Sequence, residues 1–185
     1  KSTHFALADG MSATEYEEFM AALTAPMAKR VVSAEKLAIA WLETRSELEM
    51  AVYPELIEIG HSLIARAFSN EVVTPGKTTT TDIVWWLREQ SRELKLINWF
   101  HPSVSLQRSN NEKFDQISAF SGAKKDRVVQ PGDLLHVDFG LVYLRLHSDQ
   151  QQHGYILKAG ETDAPDYLKK AFKNANRLQD IFTAN

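Results

Sequence analysis

The run Leu134-Leu-His-Val-Asp138-Phe-Gly140 ends an apolar stretch on a carboxylate, and few folds tolerate that. A buried carboxylate is costly unless a cation or hydrogen-bond donors meet it. Pro131-Gly132-Asp133 stands just ahead as a turn and launches a buried strand over Leu134–Phe139. The next carboxylate, Asp149, follows eleven positions later in Leu146-His-Ser-Asp149. If the residues between fold as a hairpin with Tyr143-Leu144 as its two-residue turn, Asp138 lies directly opposite Asp149, with Cβ atoms about 5 Å apart. Two bare carboxylates at that distance repel, so one holds a proton or a cation stands between them. A hard divalent ion resolves the conflict, and two ions about 3.5–4 Å apart suit a bridging carboxylate. A plainer reading stays open, because residues 141–148 contain no Gly, Asn or Asp to make a tight turn. In that reading Asp149 is a solvated strand-end residue and Asp138 a capped turn residue.

The rest of the chain supplies helices first and strands afterwards. Ser12-Ala-Thr-Glu15 is a capping box for a short helix in a polar lead-in. A long helix is predicted from near Ser33 towards Phe68, with Leu37, Ala40, Trp41, Leu48, Ala51 and Val52 at helical spacing. Pro54 falls inside it and is expected to kink or split it. After a Pro75-Gly76 break, Thr79–Leu94 reads as a second amphipathic helix with Ile83, Trp86 and Leu87 on one face. From Trp99 the period becomes strand-like. Strands are predicted over Phe100–Leu106, Leu134–Phe139, Gly140–Tyr143 and Leu146–Leu157, with a polar loop over Ser109–Lys125. Asp163 or Ala164-Pro165 opens a last helix. This order makes the fold class α+β, with a mainly antiparallel sheet.

Composition excludes more than it selects. With no cysteine among 185 residues, a disulfide framework, a redox thiol, a cysteine nucleophile and a thiolate zinc site are all ruled out. A net charge of -3 offers no electrostatic reason for nucleic acid or an anionic membrane as partner. No apolar run reaches the roughly 18 residues of a membrane-spanning helix. The compartment is not fixed by these features, and the cytoplasm is the expectation.

Gln130-Pro-Gly-Asp-Leu-Leu-His-Val-Asp138-Phe-Gly140, followed by a Tyr and then Ser148-Asp149, resembles the core motif of the creatinase/aminopeptidase ("pita-bread") metallopeptidases. That family holds methionine aminopeptidases, Xaa-Pro aminopeptidases, prolidases and creatinase. Trp41-Leu-Glu-Thr-Arg45-Ser-Glu47 resembles the opening helix of the peptidase domain and Thr78–Leu94 its second helix. The resemblance implies two similar α+β halves around a curved, mainly antiparallel sheet that cradles two divalent metal ions, Mn, Co or Zn. Residues 35–185 would be the N-terminal half, and residues 1–34 the tail of a preceding domain or a linker. Asp138 would be a terminal, bidentate metal ligand and Asp149 the bridging one. The other family ligands, one His and two Glu, are expected beyond Asn185, with further protein also expected before Lys1. The implied function is hydrolysis of short peptides of the Xaa-Pro type, in a chain that can form a homodimer and that binds neither nucleic acid nor membrane.

Two departures bear on activity. The window corresponding to the family's active-site histidine is Ile117-Ser-Ala-Phe120, which holds none, and His101 is too far upstream for a simple match. The family's Asp-Ile-Thr-Arg after the second ligand is here Asp149-Gln-Gln-Gln152. The rival function is therefore a catalytically silent module of the same fold that binds peptides or proteins. A creatinase-type reaction, on a guanidino compound without metal, is disfavoured by the two retained aspartates.

His136 and His147 each stand two positions before an aspartate and so share its strand face, and His153 lies on the face of Asp149. His136 and His147 read first as structural residues, with a supporting role beside the aspartate as the alternative, while for His153 substrate contact stays open. His61 and the pair Trp85-Trp86 read as helix surface or packing, and Lys124-Lys125-Asp126-Arg127 as a solvated loop. The Asp-Phe-Gly at Asp138 is also the magnesium signature of protein kinases. No glycine-rich loop, strand lysine or His-Arg-Asp loop accompanies it, so that reading is rejected.

Overall fold

The computed structural model describes residues 10–108 and 126–184. The loop expected over Ser109–Lys125 and the Ile117–Phe120 window lie outside the described residues. Among the described residues there are six helices and six strands. The helices are α1 (Ala13–Ala22), α2 (Ala25–Ala28), α3 (Glu35–Glu43), α4 (Glu47–Ala67), α5 (Thr80–Glu93) and α6 (Asp166–Thr183). The strands are β1 (Ile97–Asn98), β2 (Ser103–Gln107), β3 (Leu134–Phe139), β4 (Leu141–Tyr143), β5 (Leu146–His147) and β6 (Gln150–Tyr155). Two compact units divide after Met50.

In the first unit the helices are set by their caps. The Ser12 hydroxyl accepts from Glu15 N while the Glu15 carboxylate accepts from Ser12 N, the reciprocal pair expected for α1. The predicted long helix is broken, and not at Pro54. Helix α3 stops at Glu43, and a second capping box restarts the chain: Glu49 N donates to the Ser46 hydroxyl at 3.2 Å, and Ser46 N to the Glu49 carboxylate at 2.8 Å. Pro54 is carried inside α4, ahead of that helix's first buried residue, Leu56. No described residue of this unit is buried, and Leu37, Trp41 and Leu48, expected on a packed face, are exposed.

The second unit holds the core. Helix α4 contributes Leu56, Leu63, Ile64 and Ala67, one stripe at helical spacing. Helix α5, capped reciprocally by Thr79 and Asp82, adds Ile83, Val84 and Leu87. Trp86 packs against this core, while Trp85 is exposed beside the Arg88 guanidinium, 5.0 Å from its ring. From the sheet come Val104, Leu106, Leu135, Val137 and Phe139, the alternate residues of β2 and β3. Each such side chain, fully buried, stabilises by about 1.5–3 kcal/mol before entropy is counted. Helix α6 buries none of its residues among the described ones.

Among the described residues every strand pairing is antiparallel, in agreement with the α+β expectation, but the strands form two sheets and not one: β2-β3-β6 and β1-β4-β5. One hairpin feeds both. Its lower arms, β3 and β6, belong to the first sheet, and its upper arms, β4 and β5, to the second.

The turn before β3 is anchored by a charge. Asp133 is 0% exposed, and Arg108 meets it with two bonds of 2.7 Å, Nε to Oδ1 and Nη2 to Oδ2. Gln130 N donates to Oδ2 at 2.7 Å, and Arg108 Nη2 also donates to Val128 O. Through its own carbonyl Asp133 accepts from Ile156 N at the end of β6. Removing one partner of a buried pair leaves an uncompensated charge. Arg108→Ala is therefore expected to lower unfolding stability by about 3–5 kcal/mol in urea titrations, and a loss under ~1 kcal/mol would show that solvent already screens the pair.

Candidate functional site

The sheet β2-β3-β6 has one largely apolar face towards the core and one largely polar face, which holds Asp138 and the facing histidines. Pairing registers arrange it in rows: Ser103–Asp138–Gln151, then Ser105–His136–His153, then Gln107–Leu134–Tyr155. Asp138 is half-buried at the end of β3, with its Oδ1 shielded from water. Asp149 is exposed, just before β6.

The two aspartates do not face each other. Asp138 is paired with Gln151, two positions beyond Asp149. The reason is the turn. Val142 pairs with His147 and Tyr143 with Leu146, so the two-residue turn is Leu144-Arg145 and not Tyr143-Leu144. Leu144 takes a left-handed conformation, φ 56°, which Asn or Gly usually supplies. Moving the turn by one residue moves every partner by two, and Asp149 becomes the diagonal neighbour of Asp138 on the same face.

Where the hairpin passes from one sheet to the other, the backbone ladder is interrupted. Leu141 N donates to the Ser148 hydroxyl at 2.9 Å, while Ser148 N donates to Leu141 O. The Ser148 carbonyl is thereby released towards Gly140. A Cβ on Gly140 would lie 2.5 Å from that oxygen and 2.8 Å from Phe100 Cε1. Gly140 and the buried Ser148 thus mark the crossing between the sheets, two residues past Asp138 and one before Asp149.

Strand β6 meets α4 closely. Gln150 Nε2 donates to Ile57 O at 2.8 Å, and its Oε1 lies where a Cβ on Gly60 would fall, 1.8 Å away. Gly154 similarly makes room for Phe68. Between them a cleft of about 460 Å³ is lined by His61, Ile64, Phe68, Gln152 and His153, a size suited to a small ligand.

The histidines sort differently from the first reading. His136 and His153 are directly opposite, with ring centroids 4.9 Å apart, and Gln151 Oε1 lies 3.1 Å from His136 Nε2. Loss of hydration, and secondarily the nearby His136, hold His153 below the ordinary imidazole value, although much of its surface meets solvent. His147 is structural, as expected: its Nδ1 donates to Arg145 O, and Trp99 meets its ring edge-on at 5.3 Å. His101 accepts from Arg88 at 2.7 Å and belongs to the α5 surface. His61 lies 3.4 Å from Gln152 Nε2 on the cleft wall. Of the Lys124–Arg127 run, Asp126 and Arg127 are described, and they bond Thr80 and Thr81 at the start of α5.

Sequence reasoning missed three features: the Gln151 partner of Asp138, the His136–His153 pair and the Arg108 partner of Asp133. The first two follow from the turn position, which no Gly or Asn marks. The third joins residues 25 positions apart and has no local signal.

The fold class these observations define is mixed α and β, with helices against antiparallel sheets. No protein-family model matches the chain, and no curated protein matches it significantly in sequence. Among solved structures, the X-Pro aminopeptidase from Thermotoga maritima MSB8 superposes with a TM-score of 0.58 over 86% of this chain, at 18% identity. At that identity the likeness is one of fold. The chain spans 41% of that protein's length.

Two outcomes follow from this geometry. Gly140→Ala puts a methyl against a backbone oxygen that has no room to move, and should cost about 1–3 kcal/mol by chemical denaturation. An undiminished stability would mean that the bend relaxes freely. For His153, the unfolded chain binds the proton more readily than the folded one, so stability is fully present above about pH 6.5 and falls as pH drops below it. The His153 ring should titrate by NMR with a midpoint below 6.5, and His153→Gln should flatten the acid-side decline. A midpoint at or above 6.5 contradicts this.

Proposed function

We propose that this chain is the carboxylate-bearing half of a metal-dependent peptidase that cleaves short peptides, similar to the Xaa-Pro aminopeptidases. The observation that carries the reading is Asp138: a carboxylate with a shielded oxygen, on the polar face of a sheet in a fold that resembles an X-Pro aminopeptidase over 86% of the chain. A shielded carboxylate favours a cation or donors beside it.

Asp138 and Asp149 fit a hard divalent ion as part of a donor set. Both carry hard oxygen donors, and the register sets Asp149 two positions before Gln151, the residue opposite Asp138. Among the described residues no group of three or more His, Cys, Asp and Glu could hold a metal ion. The remaining donors, one His and two Glu by resemblance, would therefore come from outside the described residues. Two bound ions, Mn, Co or Zn, would polarise the scissile carbonyl and acidify a water. The chain's own part is to hold Asp138 between two flanking strands, with Asp149 just ahead of β6. Ser103 and Gln151 stand beside Asp138 in its row, where they can orient a peptide backbone.

A second reading, a silent module that binds peptides, is favoured by one observation: the residue facing Asp138 is the neutral Gln151. Calorimetry with Mn²⁺ and an assay on Xaa-Pro dipeptides separate the two. Asp138→Asn should weaken Mn²⁺ binding by more than about tenfold and abolish turnover with it. Binding that ignores Asp138→Asn would sink the metal reading. Intact Mn²⁺ binding with dipeptides left uncut would establish the silent module.

A further inference from the structure

We propose that His136 and His153 form a second metal site, a two-imidazole chelate for a borderline transition ion such as Cu²⁺, Ni²⁺ or Zn²⁺. The site does not rest on the peptidase reading and uses neither aspartate.

The strand register makes the pair. His136 on β3 and His153 on β6 are directly opposite. Ile156 N donates to Asp133 O, which fixes the phase of the ladder. Counting along it, the pairs Leu135–Gly154 and Val137–Gln152 exchange backbone bonds, and His136–His153 falls between them. Such non-hydrogen-bonded positions bring side chains closest together. The register brings the two Cβ atoms close, and the side chains as placed hold the rings within reach of each other.

Ring geometry suits chelation. The centroids are 4.9 Å apart and the planes tilted by 50°. With metal–nitrogen bonds of about 2.0–2.1 Å at a near-tetrahedral angle, two imidazoles on one ion have centroids roughly 5 Å apart. The outer partner is also present. Gln151 Oε1, an acceptor 3.1 Å from His136 Nε2, holds the proton on that nitrogen and leaves Nδ1 with its lone pair. Ligating histidines commonly donate their other N–H in this way. His153 lies on the rim of the 460 Å³ cleft, so positions left open by two protein ligands can take water or an incoming group. Imidazole nitrogen selects Cu, Ni and Zn, whereas the Asp138 carboxylate one row away suits Mn and Mg. The two sites should therefore discriminate between ions.

The test adds Cu²⁺ to the protein and records its EPR spectrum, with affinity measured for Ni²⁺. The expected result is one ion per chain with nitrogen superhyperfine lines from at least two nitrogens. His136→Gln and His153→Gln should each weaken binding by more than about tenfold, the least that even loss of an outer partner can cost. His61→Gln and Asp138→Asn should leave it within a factor of about two, as expected of residues outside the ligand set. In the wild-type protein, sub-stoichiometric Cu²⁺ should broaden the ring resonances of His136 and His153 ahead of those of His61, His101 and His147, which needs no variant to fold. The proposal is overturned if no nitrogen coordination appears, if either histidine variant binds as wild type, or if Asp138→Asn loses as much as they do.

Discussion

Asp133 has no surface in contact with water, and its carboxylate is answered by the Arg108 guanidinium and the Gln130 amide while its carbonyl receives Ile156 N. Those partners come from just past β2, from the turn before β3 and from just past β6. One charged residue therefore ties the corresponding ends of all three strands of the sheet. Because a slip of one residue would reverse every side chain between the two faces, that tie decides which residues meet the core. Leu135, Val137 and Phe139 go inward as a result, and His136 and Asp138 outward. The energy of a buried ion pair is a weak guarantee of stability, but here it specifies register.

The hairpin that starts from this anchor does not stay in one sheet. At Gly140 and Ser148 a hydroxyl replaces a backbone carbonyl as the acceptor for Leu141 N, and the strand bends. Glycine is required because the freed carbonyl of Ser148 occupies the place of a side chain. The bend separates β3 and β6 from β4 and β5. The turn at Leu144-Arg145, not the bend, sets the register that pairs Asp138 with Gln151 and leaves the two aspartates on a diagonal.

The polar face carries two chemistries in adjacent rows. One row centres on Asp138, a hard oxygen donor, and the next on a facing pair of imidazoles. The cleft along α4 opens beside the second row and borders the same strand.

Much of the local structure was legible in the residues. The capping box at Ser12, the amphipathic spacing of Thr79–Leu94, the Pro-Gly-Asp turn and the strand Leu134–Phe139 are short-range patterns, and each became the element it implied. The capping box at Ser46-Glu-Leu-Glu49 is equally local, yet the apolar spacing alone read as one longer helix with its break expected at Pro54. The tight turn had no such signal. Leu144 adopts a left-handed conformation that its side chain disfavours, because pairing on both arms of the hairpin over-determines it. What the sequence determined by itself was therefore the identity and face of the chemical groups: two aspartates and two histidines on outward positions of strands. Which of them meet was decided only by tertiary structure, since strand register depends on long-range pairing and on a buried ion pair between residues far apart in the chain.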